Sequence, residues 1–439
     1  MGESFEVLLR IEKLARRDLG WSKGVLAPFL ALWRIMSEYL GRNQGEYGFD
    51  TFPRQENLAQ VLKGFEQSPE CRLGHVFSDF LALHPQAQGI AFNEQWEGIH
   101  VELRDTMRKE LFRGYRAARD YAAALGRILP VTPYPLCEMI VELLEPGSGA
   151  RVLDLGCGSG MGLLACLERR PDLQEPVGWE ISPELANLAA CNLLLFGHTQ
   201  AEITVTDILA TPLSLALPDT TNFDHVICHP PTGYKAFRKA EVRDYVRDTF
   251  AEKRIERGYQ ELLFTACAMH HMHPETGKAA LILPAGFLVS QAGLNLRRYT
   301  VAFNLLDAVL LLPSTMTPML AVRQALVILN RQRKHETVLF FDPGEEDVPV
   351  EQMVQDYRKL ASKDASGLLS RQSRLVDAKE ITSRNYNLNP LAYADQAAAG
   401  DGAGHDIKAL EQQFQSRTQR VVESDLALRG VLEKLSRLS

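Results

Sequence analysis

The 7 cysteines of this 439-residue chain are scattered, odd in number and contain no Cys-x-x-Cys pair. That argues against a disulfide frame or a thiolate zinc site and for reduced thiols in a cytoplasmic protein. Long apolar runs are also missing. The longest early one, residues 25–33, is too short to cross a bilayer, and the segment carrying Glu3 and Glu6 lacks a basic-then-apolar signal pattern. A membrane partner is therefore not expected. Basic charge is not in excess, because 48 Lys and Arg face 55 Asp and Glu for a net charge of -7. Such a chain does not coat DNA as a polycation, so any nucleic-acid surface must be local or supplied by a partner. There is no internal repeat. What is present is an ordinary globular composition, 46% hydrophobic and 23% charged, with enough chain for two or three domains.

Residues 1–125 read as a helical domain. Val7, Ile11 and Leu14, then Leu26, Phe29, Leu30, Trp33, Met36 and Leu40, recur at helical spacing. A Gly/Asn/Pro loop at 41–53 separates them from helices at 56–65 and 96–125, whose acids and bases nearly balance. From residue 126 the pattern changes to short buried runs alternating with helical stretches. They lie at 152–155, 177–180, 203–205, 225–228, 279–283, 308–312 and 325–329, and the first follows an amphipathic helix at 136–144. This alternation predicts an α/β, doubly wound sheet over 126–345. The last two runs are joined by the proline-containing stretch 313–318, which predicts an antiparallel hairpin closing the sheet, with 337–341 as a further edge strand. Residues 346–393 read as a polar helical extension and 394–406 as an Ala/Gly/Asp linker. In 407–439, Phe414, Arg417, Val421, Ser424, Leu428, Val431, Leu435 and Leu438 step 3-4-3-4-3-4-3. That seam suits either packing on the chain's own body or docking to another subunit.

The stretch 151–180 organises the rest. Strand residues 152–155 run into Gly156, Cys157, Gly158, Ser159 and Gly160, and a second strand ends at Glu180, 20 residues beyond the last glycine. In doubly wound folds such an acid meets a ribose diol, and the glycines let backbone approach a ligand. Asp154 beside the turn would repel a phosphate, so it suits a cationic ligand or a hydroxyl donor. The Asp-x-Gly-x-Gly-x-Gly pattern resembles motif I of S-adenosylmethionine-dependent methyltransferases. In such a fold Asp207, just after the third strand, is placed to accept from an adenine amine. His229-Pro230-Pro231-Thr232 follows the fourth strand at its carboxyl end, where ligands of such sheets bind. Consecutive prolines leave carbonyls free to hold an amine, or simply make a rigid turn.

With Thr132-Pro133 ahead of the first strand, these motifs in this order resemble the N6-adenine DNA methylase family, in particular the modification subunits of type I restriction-modification systems. The likeness runs from 126 to 342 and includes Cys157-Gly158-Ser159-Gly160, Gly178-Trp179-Glu180 with Asn192-Leu193 through Gly197, and Leu283-Pro284. It implies a methyltransferase fold with an antiparallel last strand, a helical N-terminal domain and a helical tail. It also implies S-adenosylmethionine held by Thr132, Asp154, Gly156, Cys157, Gly158, Ser159, Gly160, Glu180, Ile181, Asp207 and Ile208. A flipped adenine of double-stranded DNA would meet His229, Pro230, Pro231, Thr232 and Tyr234. A separate specificity subunit docking on the C-terminal helix, and a restriction subunit, are the implied partners.

Two positions depart from the family's Asn-Pro-Pro-aromatic motif. Neutral His229 accepts one hydrogen bond only in the right tautomer, and Thr232 has no face to stack on a base, a loss of roughly 1–3 kcal/mol that Tyr234 could offset. Enzyme and catalytically lapsed scaffold therefore both stand as readings. Methylation of an RNA or a protein amide is a third. The Lys/Arg-dense stretch 235–257 is a DNA-facing helix or, with its interleaved acids, a solvated one. His270, His271 and His273, lacking acidic or Cys partners at ligand spacing, read as an exposed loop and not a metal site.

Overall fold

A computed structural model describes residues 114–125, 131–209, 222–231, 260–313, 322–343, 350–360 and 373–393, with 67, 72, 73, 316 and 317 beside them. The chain divides into two compact units, 1–393 and 394–439, and every described residue belongs to the first. The expected linker and docking helix, the helices before residue 114, and the basic stretch 235–257 lie outside the described residues.

Two helices precede the sheet, α1 (Gly114–Leu125) and α2 (Tyr134–Leu144). Pro133 caps the start of α2, since a proline needs no intrahelical N–H partner at a first turn. Then come β1 (Arg151–Leu155), α3 (Met161–Arg169), β2 (Glu175–Glu180), α4 (Pro183–Leu195), β3 (Glu202–Val205) and β4 (His225–Cys228). They continue with α5 (Gln260–His271), β5 (Lys278–Pro284), α6 (Leu294–Ala302), β6 (Leu306–Leu311) and β7 (Gln324–Asn330). The last are β8 (Thr337–Phe341), α7 (Val350–Leu360), β9 (Ser373–Asp377) and α8 (Ala378–Ser383).

Among the described residues the strands form one sheet in the order β3-β2-β1-β4-β5-β7-β6-β8-β9. β3 through β5 are parallel, and β7 runs antiparallel between β5 and β6. Every residue of β6 is buried, which explains why these strands read as continuous apolar runs instead of alternating ones. The strand order reverses between β1 and β4, so a crevice opens outside their carboxyl ends. The glycine turn leaves β1 there, and the double proline leaves β4 there.

The opposite end of the sheet is tied by a buried acid. Asp307 at the start of β6 accepts from Tyr357 Oη of α7 at 2.6 Å and from Asn330 Nδ2 at 3.1 Å, and pairs with Arg333 Nε at 3.0 Å.

Three expectations need correction. β6 and β7 pair antiparallel and β8 adds beyond β6 as expected, but β8 is not the edge, because β9 pairs outside it. β9 lies where a helical extension was expected. Of its five residues only Val376 is buried, so backbone pairing at an edge, and not an apolar pattern, makes it a strand. His270 and His271 close α5 instead of sitting in a loop, and His271 is buried edge-on to Trp179 with ring centroids 4.9 Å apart. Only His273 lies in the turn before β5, where its Nδ1 accepts from Thr276 N at 3.1 Å.

Candidate active site

The turn after β1 takes its shape from three glycines in the left-handed region, Gly156 (φ 76°), Gly158 (φ 53°) and Gly160 (φ 78°). Gly160 is required for space as well, because a Cβ there would come 3.0 Å from Ala189 Cβ and 3.1 Å from Ala189 Cα. The amides of Gly156 and Cys157 both donate to Trp179 O, at 2.9 and 3.0 Å, which folds the turn onto β2. A brace behind it was not foreseen from the sequence. Asn192 Nδ2 of α4 donates to Ser159 O at 2.8 Å, and Tyr121 Oη of α1 donates to Asn192 Oδ1 at 2.6 Å.

Glu180 ends β2 buried and held by backbone. Gly158 N donates to Oε2 at 2.9 Å, while Ile181 N and Ser182 N donate to Oε1 at 3.0 Å each. A carboxylate so held cannot swing, and with three bonds on two oxygens it keeps accepting capacity for a further donor in the cleft that Glu180 lines. Asp207, after β3, accepts from Leu209 N through Oδ1 at 3.1 Å.

Asp154 is different. It is 4% exposed, no donor among the described residues bonds its carboxyl, and burial, then the charge of Glu180, pushes its pKa up to about 7. A Cβ on Gly162 would lie 2.6 Å from its Oδ2, so a side chain at 162 would displace the acid. Two buried carboxyl groups with no countercharge between them among the described residues suit a cationic ligand and oppose a phosphate.

These elements wall a cleft of about 610 Å³. Of the expected cofactor residues, Thr132, Gly156, Cys157, Gly158, Ser159, Glu180, Ile181, Asp207 and Ile208 line it. Asp154 and Gly160 are not among the lining residues; they sit behind the turn. His229, Pro230 and Pro231 form the opposite wall, while Thr232 and Tyr234 lie outside the described residues. Phe264 of α5 and Thr317 also line the cleft. Phe264 had no local signal, since α5 is apolar on most sides and nothing in its pattern singles out one ring.

His229 is held neutral by burial, which pulls its pKa down to about 4. Its Nδ1 lies 3.2 Å from Thr132 Oγ1, joining residues 97 apart in the chain. The cleft therefore brings together a carboxylate cradle on one side and a neutral imidazole with a proline turn on the other. Among the described residues there is no group of three His, Cys, Asp or Glu side chains able to hold a metal.

Residues 118–401 match the N-6 DNA methylase family. The type I restriction enzyme MjaVIII methylase subunit of Methanocaldococcus jannaschii is 22% identical over 336 residues, covering 70% of this chain and 56% of the relative. The MpnII methylase subunit of Mycoplasma pneumoniae is 21% identical over 328 residues, covering 69% and 59%. The chain thus spans a little more than half the length of these relatives. A solved type I restriction-modification methyltransferase subunit from Streptococcus thermophilus superposes with a TM-score of 0.67 at 17% identity, over 89% of this chain and 99% of that one. That likeness carries the fold alone. The family match takes in well over half of the 439 residues, and the chain belongs to the N-6 DNA methylase family.

Proposed function

We propose that this chain is an S-adenosylmethionine-dependent DNA adenine-N6 methyltransferase subunit of a restriction-modification or phage-defence system. The observation that carries the reading is the convergence of the glycine turn, Glu180 and Asp207 with His229-Pro230-Pro231 on one cleft at the switch point of the sheet. S-adenosylmethionine supplies an activated methyl on a sulfonium, and it carries an ammonium and no phosphate, which fits a site rich in buried carboxyl groups. Glu180, locked by three amides, accepts from the ribose hydroxyls. Asp154 faces the cationic end through the turn, and Asp207 accepts from the adenine amine. Ile181 and Ile208 flank these acids along the wall of the cleft.

On the other wall, the Pro230 carbonyl and a ring nitrogen of His229 accept from the two hydrogens of the target amine. That geometry draws the amine lone pair out of conjugation so that it can attack. The target base is flipped from duplex DNA, because chemistry on a stacked base is out of reach. Thr232 and Tyr234 follow the turn and are assigned to the base. Sequence specificity comes from a separate subunit that docks on the segment 407–439, with a restriction subunit as a further partner. The relatives named above as methylase subunits of type I restriction enzymes support that assembly. Six described cysteines, all free and buried, support work in the cytoplasm, and no helix of the described residues is long and apolar enough to cross a membrane.

His229 in place of the family's Asn favours one alternative, a lapsed enzyme that still binds cofactor as a scaffold. Tritiated methyl transfer to DNA, measured on the chain with its partner subunits beside calorimetry of S-adenosylmethionine, separates the two. Transfer that falls with His229→Ala supports the enzyme. Binding without transfer, indifferent to His229→Ala, overturns it in favour of the scaffold.

A further inference from the structure

We infer that Thr132 is a positioning residue for His229, holding the ring by Nδ1 so that Nε2 is the nitrogen offered to the target amine. The inference rests on the function proposed above and gives Thr132 a role apart from the cofactor. Thr132 stands just before α2 and His229 just after β4, and both line the same cleft. Thr132 Oγ1 lies 3.2 Å from Nδ1, and among the described residues it is the ring's one hydrogen-bond partner.

The need for such a partner follows from the chemistry of the side chain. The oxygen of an Asn is always an acceptor. A neutral imidazole has one N–H and one lone pair, and it accepts at Nε2 only when the proton sits on Nδ1. A hydroxyl both donates and accepts, so by rotating it keeps its bond to Nδ1 in either tautomer. An arriving amine then selects the Nε2 lone pair without leaving Nδ1–H unsatisfied. A methyl group in that place would leave the half-buried N–H without its partner and shift the tautomer balance against the acceptor form by roughly ten- to a hundredfold. Burial keeps the ring neutral, so tautomer and not charge is the variable that Thr132 governs.

The test uses the full chain with its partner subunits, selectively labelled with ¹⁵N-histidine. The variants are Thr132→Val, Thr132→Ser, His229→Asn and the Thr132→Val/His229→Asn pair. Unmethylated amplified bacterial genomic DNA serves as the acceptor, and S-adenosylmethionine as the calorimetric probe. With calorimetry setting a saturating S-adenosylmethionine concentration for each variant, Thr132→Val is expected to lower kcat roughly ten- to a hundredfold, and Thr132→Ser to restore most of it. In the His229→Asn background the same Val substitution is expected to cost less than about threefold, because an Asn has no tautomer to lose. The His229 Nδ1 resonance should move in Thr132→Val and return in Thr132→Ser. Equal losses of kcat in the two backgrounds, or an unmoved Nδ1 resonance, would each overturn the inference. A wild-type complex that transfers no methyl would instead sink the functional reading, and the nitrogen spectrum would still decide whether Thr132 holds the ring.

Discussion

The two walls of the cleft are built on different principles. On the β1–β2 side, backbone does most of the work: three left-handed glycines shape the turn and three amides hold Glu180. On the β4 side, a proline turn and one neutral imidazole, steadied by a single threonine hydroxyl, face the same space. A wall of amides and carboxylates depends on conformation, which the family pattern keeps intact here. A wall resting on one side chain changes its chemistry when that side chain changes. The contrast suggests that cofactor binding is robust in this chain, while the rate of transfer is set by residues 229–232.

That contrast can be broken most sharply at Glu180. Glu180→Ala leaves three backbone amides without their acceptor and should lower S-adenosylmethionine affinity by at least about a hundredfold in calorimetry. An affinity within tenfold of wild type would mean that the amide cradle is not the cofactor site.

Asp154→Asn comes next, with about a ten- to hundredfold loss of affinity. The same substitution should raise the melting temperature of the ligand-free protein at pH 8 by several degrees, because it removes a buried charge that no described residue pairs with. Binding that weakens with no gain in stability would argue that the acid is paired in solution.

On the other wall, His229→Asn should raise methyl transfer about tenfold, and more with Thr232→Phe, while leaving cofactor Kd within about twofold. A fall in transfer would show that this chain has come to depend on its imidazole.

The smallest effect is a pH dependence. The folded pKa of Asp154, about 7, lies above the ordinary carboxylate range. Ionising it therefore opposes folding. Its contribution to stability is complete below about pH 4 and is lost as pH rises through about 7. A cationic ligand prefers the ionised acid, so affinity should rise by up to about tenfold between pH 6 and 8 and level off above. His229, with its pKa pulled down to about 4, adds nothing to that window. Calorimetry across pH 6 to 8, with Asp154→Asn flat over the range, checks both signs.

Much of the sheet was legible because parallel strands buried on both faces advertise themselves. The run predicted at 225–228 is β4 residue for residue, and the run at 337–341 is β8. The glycine turn was legible for a related reason, since left-handed backbone next to Ala189 tolerates only glycine. β9 was not, because its pairing with β8 is made by backbone groups that every residue carries. His271 was misread as exposed because a histidine beside a turn looks the same whether or not a tryptophan covers it.

The sequence by itself determined the sheet-forming runs, the glycine turn, Glu180 and the departure at His229, because each rests on residue types that few others can replace. Only the tertiary structure decided that β7 lies between β5 and β6, that Asp154 is buried with no donor to it among the described residues, and that Thr132 touches His229. Those facts depend on which distant segments meet. Contact between residues 97 apart leaves no periodicity in the chain, while burial and pairing reset the chemistry of each group once contact is made.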